Sequence, residues 1–231
     1  MRRLSSTIKG IVFDLDGTLV NSALGLASAV DKTLQHFQLP AAGVERVAEW
    51  IGNGADIMLQ RAITWASGQP ATTSQIQQAR PLFDQHYQQT ALNGSVLYPG
   101  VISVLQQLKK QQYQLAVVTN KPSLFVKPLL HYLQIETYFS VIIGADDVII
   151  KKPHPAALFL ILGQLGLLPT ELVMVGDSRN DIEAARAAGI AAIGLSYGYN
   201  YGQPIADSHP DRVLDNFEQL MPALSNNFQE E

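Results

Sequence analysis

The sequence contains no cysteine. That excludes a disulfide framework, a thiolate zinc site and a cysteine nucleophile. Charge is sparse: Asp, Glu, Lys and Arg make up 16% of 231 residues, with a formal net charge of −4. A chain without a basic excess is a poor match for the backbone of nucleic acid, which needs concentrated positive charge. The five histidines (His36, His86, His131, His154, His209) are scattered and lack zinc-ligand spacing. No apolar stretch is long enough to span a bilayer, and Arg2 and Arg3 are not followed by the apolar run of a signal peptide. These absences leave a soluble cytoplasmic protein, with neither nucleic acid nor membrane as partner, as the expectation.

Hydrophobic residues reach 47%, enough to fill a substantial core. The length accommodates one ordinary domain, or a core plus a smaller insertion. Two textures divide the chain. Strand-like runs at Ile8–Val20, Gln114–Thr119, Tyr138–Gly144, Glu171–Asp177 and Ala191–Leu195 alternate with helical patterns near 100–112, 122–134, 155–166 and 180–188. That alternation predicts an α/β fold, a Rossmann-like parallel sheet with helices on both faces. Residues 21–97 show no strand-like run. Leu24, Ala27, Val30, Leu34 and Phe37 recur at helical spacing, as do Ile76, Ala79, Phe83 and Tyr87, with Pro81 marking a kink or a new helix start. This stretch reads as a small helical cap inserted into a core of residues 1–20 and 98–231. Its hinges fall near Asn21-Ser22 and Tyr98-Pro99-Gly100. The polar tail from Ser225 to Glu231 is expected to fray.

Each main strand run is followed by polar groups. Gly10-Ile11-Val12-Phe13 leads into Asp14-Leu15-Asp16-Gly17-Thr18. Two carboxylates held on one side repel unless a cation or proton relieves them, which points to a hard ion with oxygen ligands, Mg²⁺ before others. The bland alternative is a solvated Asp-Gly turn. Thr119 and Asn120 follow the second strand, and could instead cap a helix. Lys151-Lys152-Pro153-His154-Pro155 follows the third, where flanking prolines restrain a lysine that would otherwise be a solvated loop residue; His154 reads as a loop residue. Asp177 and Asp181 follow the fourth, where a turn acid and a first-turn helix acid are the plain readings. In a parallel sheet these ends converge on one edge. Acids, a hydroxyl, backbone donors and a lysine gathered there suit a phosphoryl group and its metal.

These four motifs, in this order and with a helical insert between the first and second, resemble the haloacid dehalogenase superfamily of phosphotransferases over nearly the whole chain. The segments Trp50–Asp56 and Tyr197–Gly202 further resemble one bacterial phosphatase group within it. The resemblance implies that Asp14 is the nucleophile and becomes an aspartyl phosphate. Asp16 would be general acid and then base. Thr119, the Asn120 backbone and Lys152 would hold the transferring phosphoryl. The Mg²⁺ ligands would be Asp14, Asp177 and the backbone carbonyl of Asp16, with Asp181 in support. One departure is Asn21, where many relatives carry Asp; Asn caps a helix about as well. In the cap, Gly52, Asn53 and Gly54 can present backbone N–H groups to an anion at the start of the helix through Ile57 and Leu59, and are expected to set preference for a small acidic substrate. Arg61 nearby reads as a surface residue. The expected partner is a small-molecule phosphomonoester, and the chain a monomer or weak homodimer. Sugar-phosphate phosphatase and phosphoglucomutase are the nearest alternatives. A phospho-acceptor signalling module places its acceptor after the acidic pair and has no helical insert, and a dehalogenase needs neither the second Asp nor the metal.

Overall fold

The computed structural model describes residues 8–225. Arg2, Arg3 and all of the polar tail except Ser225 lie outside the described residues. Short apolar runs build the main sheet. They are β1 (Gly10–Phe13), β4 (Gln114–Val118), β5 (Val141–Ile143), β6 (Leu172–Gly176), β7 (Ala191–Leu195) and β8 (Arg212–Leu214), ordered β5-β4-β1-β6-β7-β8 and all parallel. The central β1 has Phe13 beside Val117 on one side and Val175 on the other. Successive residues face opposite layers. Ile11 and Phe13 pack with Val117 and Val175 under α5 (Val101–Lys110), α6 (Ser123–Tyr132) and α9 (Leu220–Ser225). Val12 packs with Val118 and Met174 under α7 (Ala156–Leu165) and α8 (Arg179–Ala188). Covering both faces explains why these strands are apolar at nearly every position. The chain leaves β1 for β4 and β5 and returns to β6, β7 and β8 on its far side, so the order reverses at β1. That reversal opens a crevice beyond the strands' carboxyl ends.

The α/β class and helix positions agree with the sequence reading, and the details differ where elements are short. The run at 138–144 is extended only over Val141–Ile143, after a 3₁₀ turn at Glu136–Tyr138. β8 and α9 were not foreseen. β8 is a three-residue edge strand with one buried side chain, Leu214, too little for a period to register.

Between β1 and β4 lie α1 (Ala23–His36), α2 (Val44–Ala48), α3 (Ala55–Ser67) and α4 (Thr73–Thr90). They share a cluster that includes Leu26, Val30, Leu34, Leu59, Phe83 and Tyr87, and Phe125 of α6 joins it. Pro81 lies inside a single continuous α4, which starts at a capping box between Thr72 and Gln75 and is anchored by buried Ala79, Phe83 and Tyr87. A two-stranded antiparallel pair, β2 (Val20–Asn21) with β3 (Val96–Leu97), brackets these helices. Two residues a side leave no alternation to read, so the strand-free description of 21–97 missed it. No described helix is long and apolar enough to cross a membrane.

The return from α4 depends on a contact between glycines. Gly25 N donates to Gly94 O at 3.1 Å, and a Cβ on Gly94 would sit 2.4 Å from Gly25 Cα and N. Backbone cannot rotate aside as a side chain can. Gly94→Ala is therefore expected to lower stability by about 1–3 kcal/mol, the usual cost of overpacking. Urea denaturation of the variant against the parent measures this, and an unchanged midpoint would show that the α1–α4 contact yields freely.

Candidate active site

Three carboxylates meet at the carboxyl edge of the sheet. Asp14 follows β1, Asp177 follows β6 and Asp181 lies in the first turn of α8; their nearest ligand oxygens fall within 4.8 Å of one another, and all three are buried. Lys152 is the cation among them. Its Nζ lies 2.8 Å from Asp14 Oδ1 and donates to Asp181 Oδ1 at 2.6 Å and to Val118 O at 2.8 Å. Burial works to lower the lysine's pKa, but Asp14 and Asp181 more than offset it and hold the ammonium charged. One ammonium does not balance three carboxylates. Burial, opposed by Lys152 and reinforced by Asp181, pushes Asp14 up to about 7. Burial, with Asp14 and Asp181 adding to it, raises Asp177 well above the carboxylate range. Asp14 Oδ1 has no aligned hydrogen bond although it is buried. An oxygen-only donor set with excess negative charge fits a hard metal ion.

Small residues make room for these acids. A Cβ on Gly198 would lie 2.3 Å from Asp177 Cβ, and one on Gly176 2.4 Å from Asp181 Cβ. Gly17 approaches Asp177 as closely and takes a φ of +94°. Donors then fix the carboxylates. Thr18 Oγ1 and Tyr199 N each donate to Asp177 at 2.6 Å, while Ser178 N and Oγ donate to Asp181 Oδ2 at 3.0 and 2.8 Å. Asp181 thus closes the first turn of α8 with one oxygen and meets Lys152 with the other.

Thr119 and Asn120 do not cap α6, whose N-cap is Pro122. Thr119 Oγ1 accepts from Lys121 N at 3.1 Å. Asn120 Nδ2 donates to Lys152 O and Gly52 O, both at 2.9 Å, and its Oδ1 accepts from Lys152 N at 3.0 Å. Asn120 therefore locks the lysine loop to the sheet edge. His154 is exposed, with Nδ1 accepting from Ala156 N.

Asp16 stands apart from the three-carboxylate group. Lys121 Nζ donates to its two oxygens at 2.9 and 3.1 Å and also contacts Tyr87 Oη of α4. Burial works against the ammonium, but Asp16 and Tyr87 raise its pKa and keep it charged. Sequence reading missed Lys121 and Tyr87. Lys121 sits next to Thr119-Asn120 at a strand end, which was the available signal, whereas Tyr87 reads only as a core position of a helix.

The helical segment is closed over this edge. Gly52 O accepts from Asn120 and also from Asn180 Nδ2 at 3.0 Å; the same nitrogen lies 2.9 Å from Asn53 Oδ1 and 2.8 Å from Tyr201 Oη. Gly54 is the N-cap of α3 with a φ of +85°. Arg61 lies 5.3 Å and Arg179 5.1 Å from the Tyr201 ring centre, so the half-buried Arg61 reaches from α3 to the core. Asn21 Oδ1 accepts from Ala23 N at 3.3 Å and from Tyr199 Oη at 2.6 Å, holding the start of α1. Beneath the closed segment lies a chamber of about 40 Å³ with Asp14, Asp16, Thr119, Asn120 and Lys121 on the core side and Leu26, Ile51, Met58, Phe83 and Tyr87 opposite.

Comparison with known proteins agrees with this architecture. A protein of Pectobacterium atrosepticum named phosphoglycolate phosphatase is 56% identical over 219 residues, 95% of this chain and 93% of its own. One from Salmonella typhimurium with the same name is 51% identical over 94% of this chain and 92% of its own. A crystal structure described as a predicted phosphoglycolate phosphatase from Haemophilus somnus superposes with a TM-score of 0.89 at 44% identity, covering 94% and 97% of the two chains. Residues 11–195, from β1 to the end of β7, match the family described as haloacid dehalogenase-like hydrolase, and the chain belongs to that family.

Proposed function

We propose that the chain hydrolyses 2-phosphoglycolate to glycolate and inorganic phosphate, with Mg²⁺ as its metal. The observation that carries the reading is the 56% identity to a phosphatase of that name along 95% of this chain, helical segment included. The chamber with Asp14, Asp16 and Lys121 on its core side supports it. The reading takes residues 21–97 as a mobile cap over a core of 1–20 and 98–231. It also takes the protein as a cytoplasmic monomer or weak homodimer acting on a small phosphomonoester.

In this reading a carboxylate oxygen of Asp14 attacks phosphorus as the ester P–O bond breaks. Asp16 gives its proton to the departing glycolate oxygen, leaving an aspartyl phosphate. Asp16, now ionised, takes a proton from the water that attacks the same phosphorus, which frees phosphate and restores Asp14. Lys152, Thr119 and the Asn120 backbone hold the transferring group, and Lys152 keeps Asp14 aimed. Asp14, Asp177 and the Asp16 carbonyl would hold Mg²⁺ with Asp181 beside them. When bound, the ion neutralises charge on the phosphoryl oxygens. Gly52, Asn53 and Gly54 would set preference for a small acidic substrate through backbone N–H groups at the start of α3, and their closure over the edge excludes bulk water from the reactive phosphoenzyme.

Replacing the acid tests its role. Asp16→Asn is expected to lower kcat/KM for an alkyl phosphate by ~10²–10⁴-fold and much less for 4-nitrophenyl phosphate, whose leaving group needs no proton. Steady-state rates on both esters provide the measurement, and an equal loss on both would give Asp16 a structural task instead.

Removing a metal ligand has a different signature. Asp177→Ala is expected to shift the Mg²⁺ dependence of activity to much higher concentration, because one anionic oxygen is gone. Titration of Mg²⁺ against rate for parent and variant decides it; superimposable curves would move the ligand elsewhere.

A further inference from the structure

Resting on that reading, we infer that Lys121 is the residue that selects a carboxylate at the far end of the substrate. The argument starts from the substrate's covalent structure. In phosphoglycolate one methylene separates the ester oxygen from the carboxylate. The group that recognises the carboxylate must therefore lie beside the group that protonates the ester oxygen. Asp16 is that acid, and Lys121 Nζ is hydrogen-bonded to it at 2.9 and 3.1 Å.

Among the described residues Lys121 lines the chamber itself, while the Lys151 ammonium approaches the Gly54 backbone, 2.9 Å from where a Cβ on that glycine would stand. Lys152 is already committed to Asp14, Asp181 and Val118 O, and Arg61 lies against Tyr201. Most of the opposite wall is apolar, formed by Leu26, Ile51, Met58 and Phe83; its polar part is the backbone at the start of α3, Gly52, Gly54 and Ala55, which offers neutral N–H groups and no full charge. The Gly52 carbonyl presents an acceptor and is occupied by Asn120 and Asn180. An anionic end brought into this space finds its counter-charge at Lys121.

The ammonium can serve without leaving Asp16. It contacts both oxygens of that carboxylate, so releasing one frees a donor for the substrate and keeps the acid held by the other. The released Asp16 oxygen then lies next to the ester oxygen. Tyr87, against Lys121 from α4, keeps the ammonium in place: burial pushes its hydroxyl up to about 12, so it stays neutral and does not compete as an anion.

Three substrates separate this role from its rivals. They are 2-phosphoglycolate, ethyl phosphate, which has a methyl where the carboxylate stood and an equally poor leaving group, and 4-nitrophenyl phosphate. For Lys121→Met the loss of kcat/KM on phosphoglycolate is expected to exceed the loss on ethyl phosphate by at least ~10-fold, the scale of one charge-assisted hydrogen bond. Glycolate should also inhibit 4-nitrophenyl phosphate hydrolysis more weakly in the variant than in the parent. Lys121→Gln, which keeps polar partners for Asp16 and Tyr87 without the charge, repeats the test if the methionine variant does not fold. Equal losses on phosphoglycolate and ethyl phosphate, with the aryl ester spared, would overturn the inference and make Lys121 a positioning residue for Asp16. Equal losses on all three would overturn it too. A parent enzyme with no preference for phosphoglycolate over ethyl phosphate would instead overturn the substrate reading itself.

Discussion

Three buried carboxylates share one lysine at the edge of this sheet, and the rest of the site is arranged around that imbalance. Removing ionised acids from water is costly unless counter-charge and hydrogen bonds replace the solvent. Lys152 supplies one charge and is held there by Val118 O and by Asn120 gripping its backbone. Thr18, Ser178 and the Tyr199 amide supply the donors. Gly17, Gly176 and Gly198 leave the space, because a side chain at any of them would collide with Asp177 or Asp181. The remaining deficit of positive charge is of the kind a hard metal ion offsets.

A second electrostatic unit lies next to the first and is kept separate from it. Lys121 pairs with Asp16, so the two acids of Asp14-Leu15-Asp16 have different partners although one residue separates them. Lys152 holds Asp14 from below the sheet edge, while Lys121 meets Asp16 at the chamber wall and reaches Tyr87 of α4. Environments that differ this sharply equip neighbouring carboxylates for different tasks, as the proposed mechanism requires.

What was legible in the sequence was what is local along the chain. The apolar runs ending in Asp14, Thr119 and Asp177 announce buried parallel strands, and the strand-end rule of an open sheet brings their polar residues to one edge. Residues 23–90 show helical spacing that the structure fills with α1 to α4. The illegible parts have identifiable causes. β8 and the β2–β3 pair are too short to have a period. The tasks of Lys121 and Tyr87 depend on a contact between residues 34 positions apart. Tyr87 at helical spacing is indistinguishable from any core aromatic, and it does pack on Phe83 and Phe125. Gly198 looks like a turn glycine until Asp177 is seen against it.

The closed contacts are of a kind that can be broken and remade. Gly52 O receives two neutral amides, Asn120 and Asn180, and Tyr201 lies between Arg61 and Arg179. Neutral hydrogen bonds of this sort contribute about 0.5–1.5 kcal/mol each after exchange with water. A handful of them would let the proposed cap open at modest cost. A buried ion pair across the same seam would cost far more to separate, because each half would have to be resolvated. The pairs that are buried, Lys152 with its two acids and Lys121 with Asp16, lie wholly on the core side. Among the described residues, the neutral Tyr87 hydroxyl of α4 reaches one of them. If the segment opens as proposed, these charged pairs would stay in place, and neutral amides together with the apolar contact of Phe125 on Tyr87 would part.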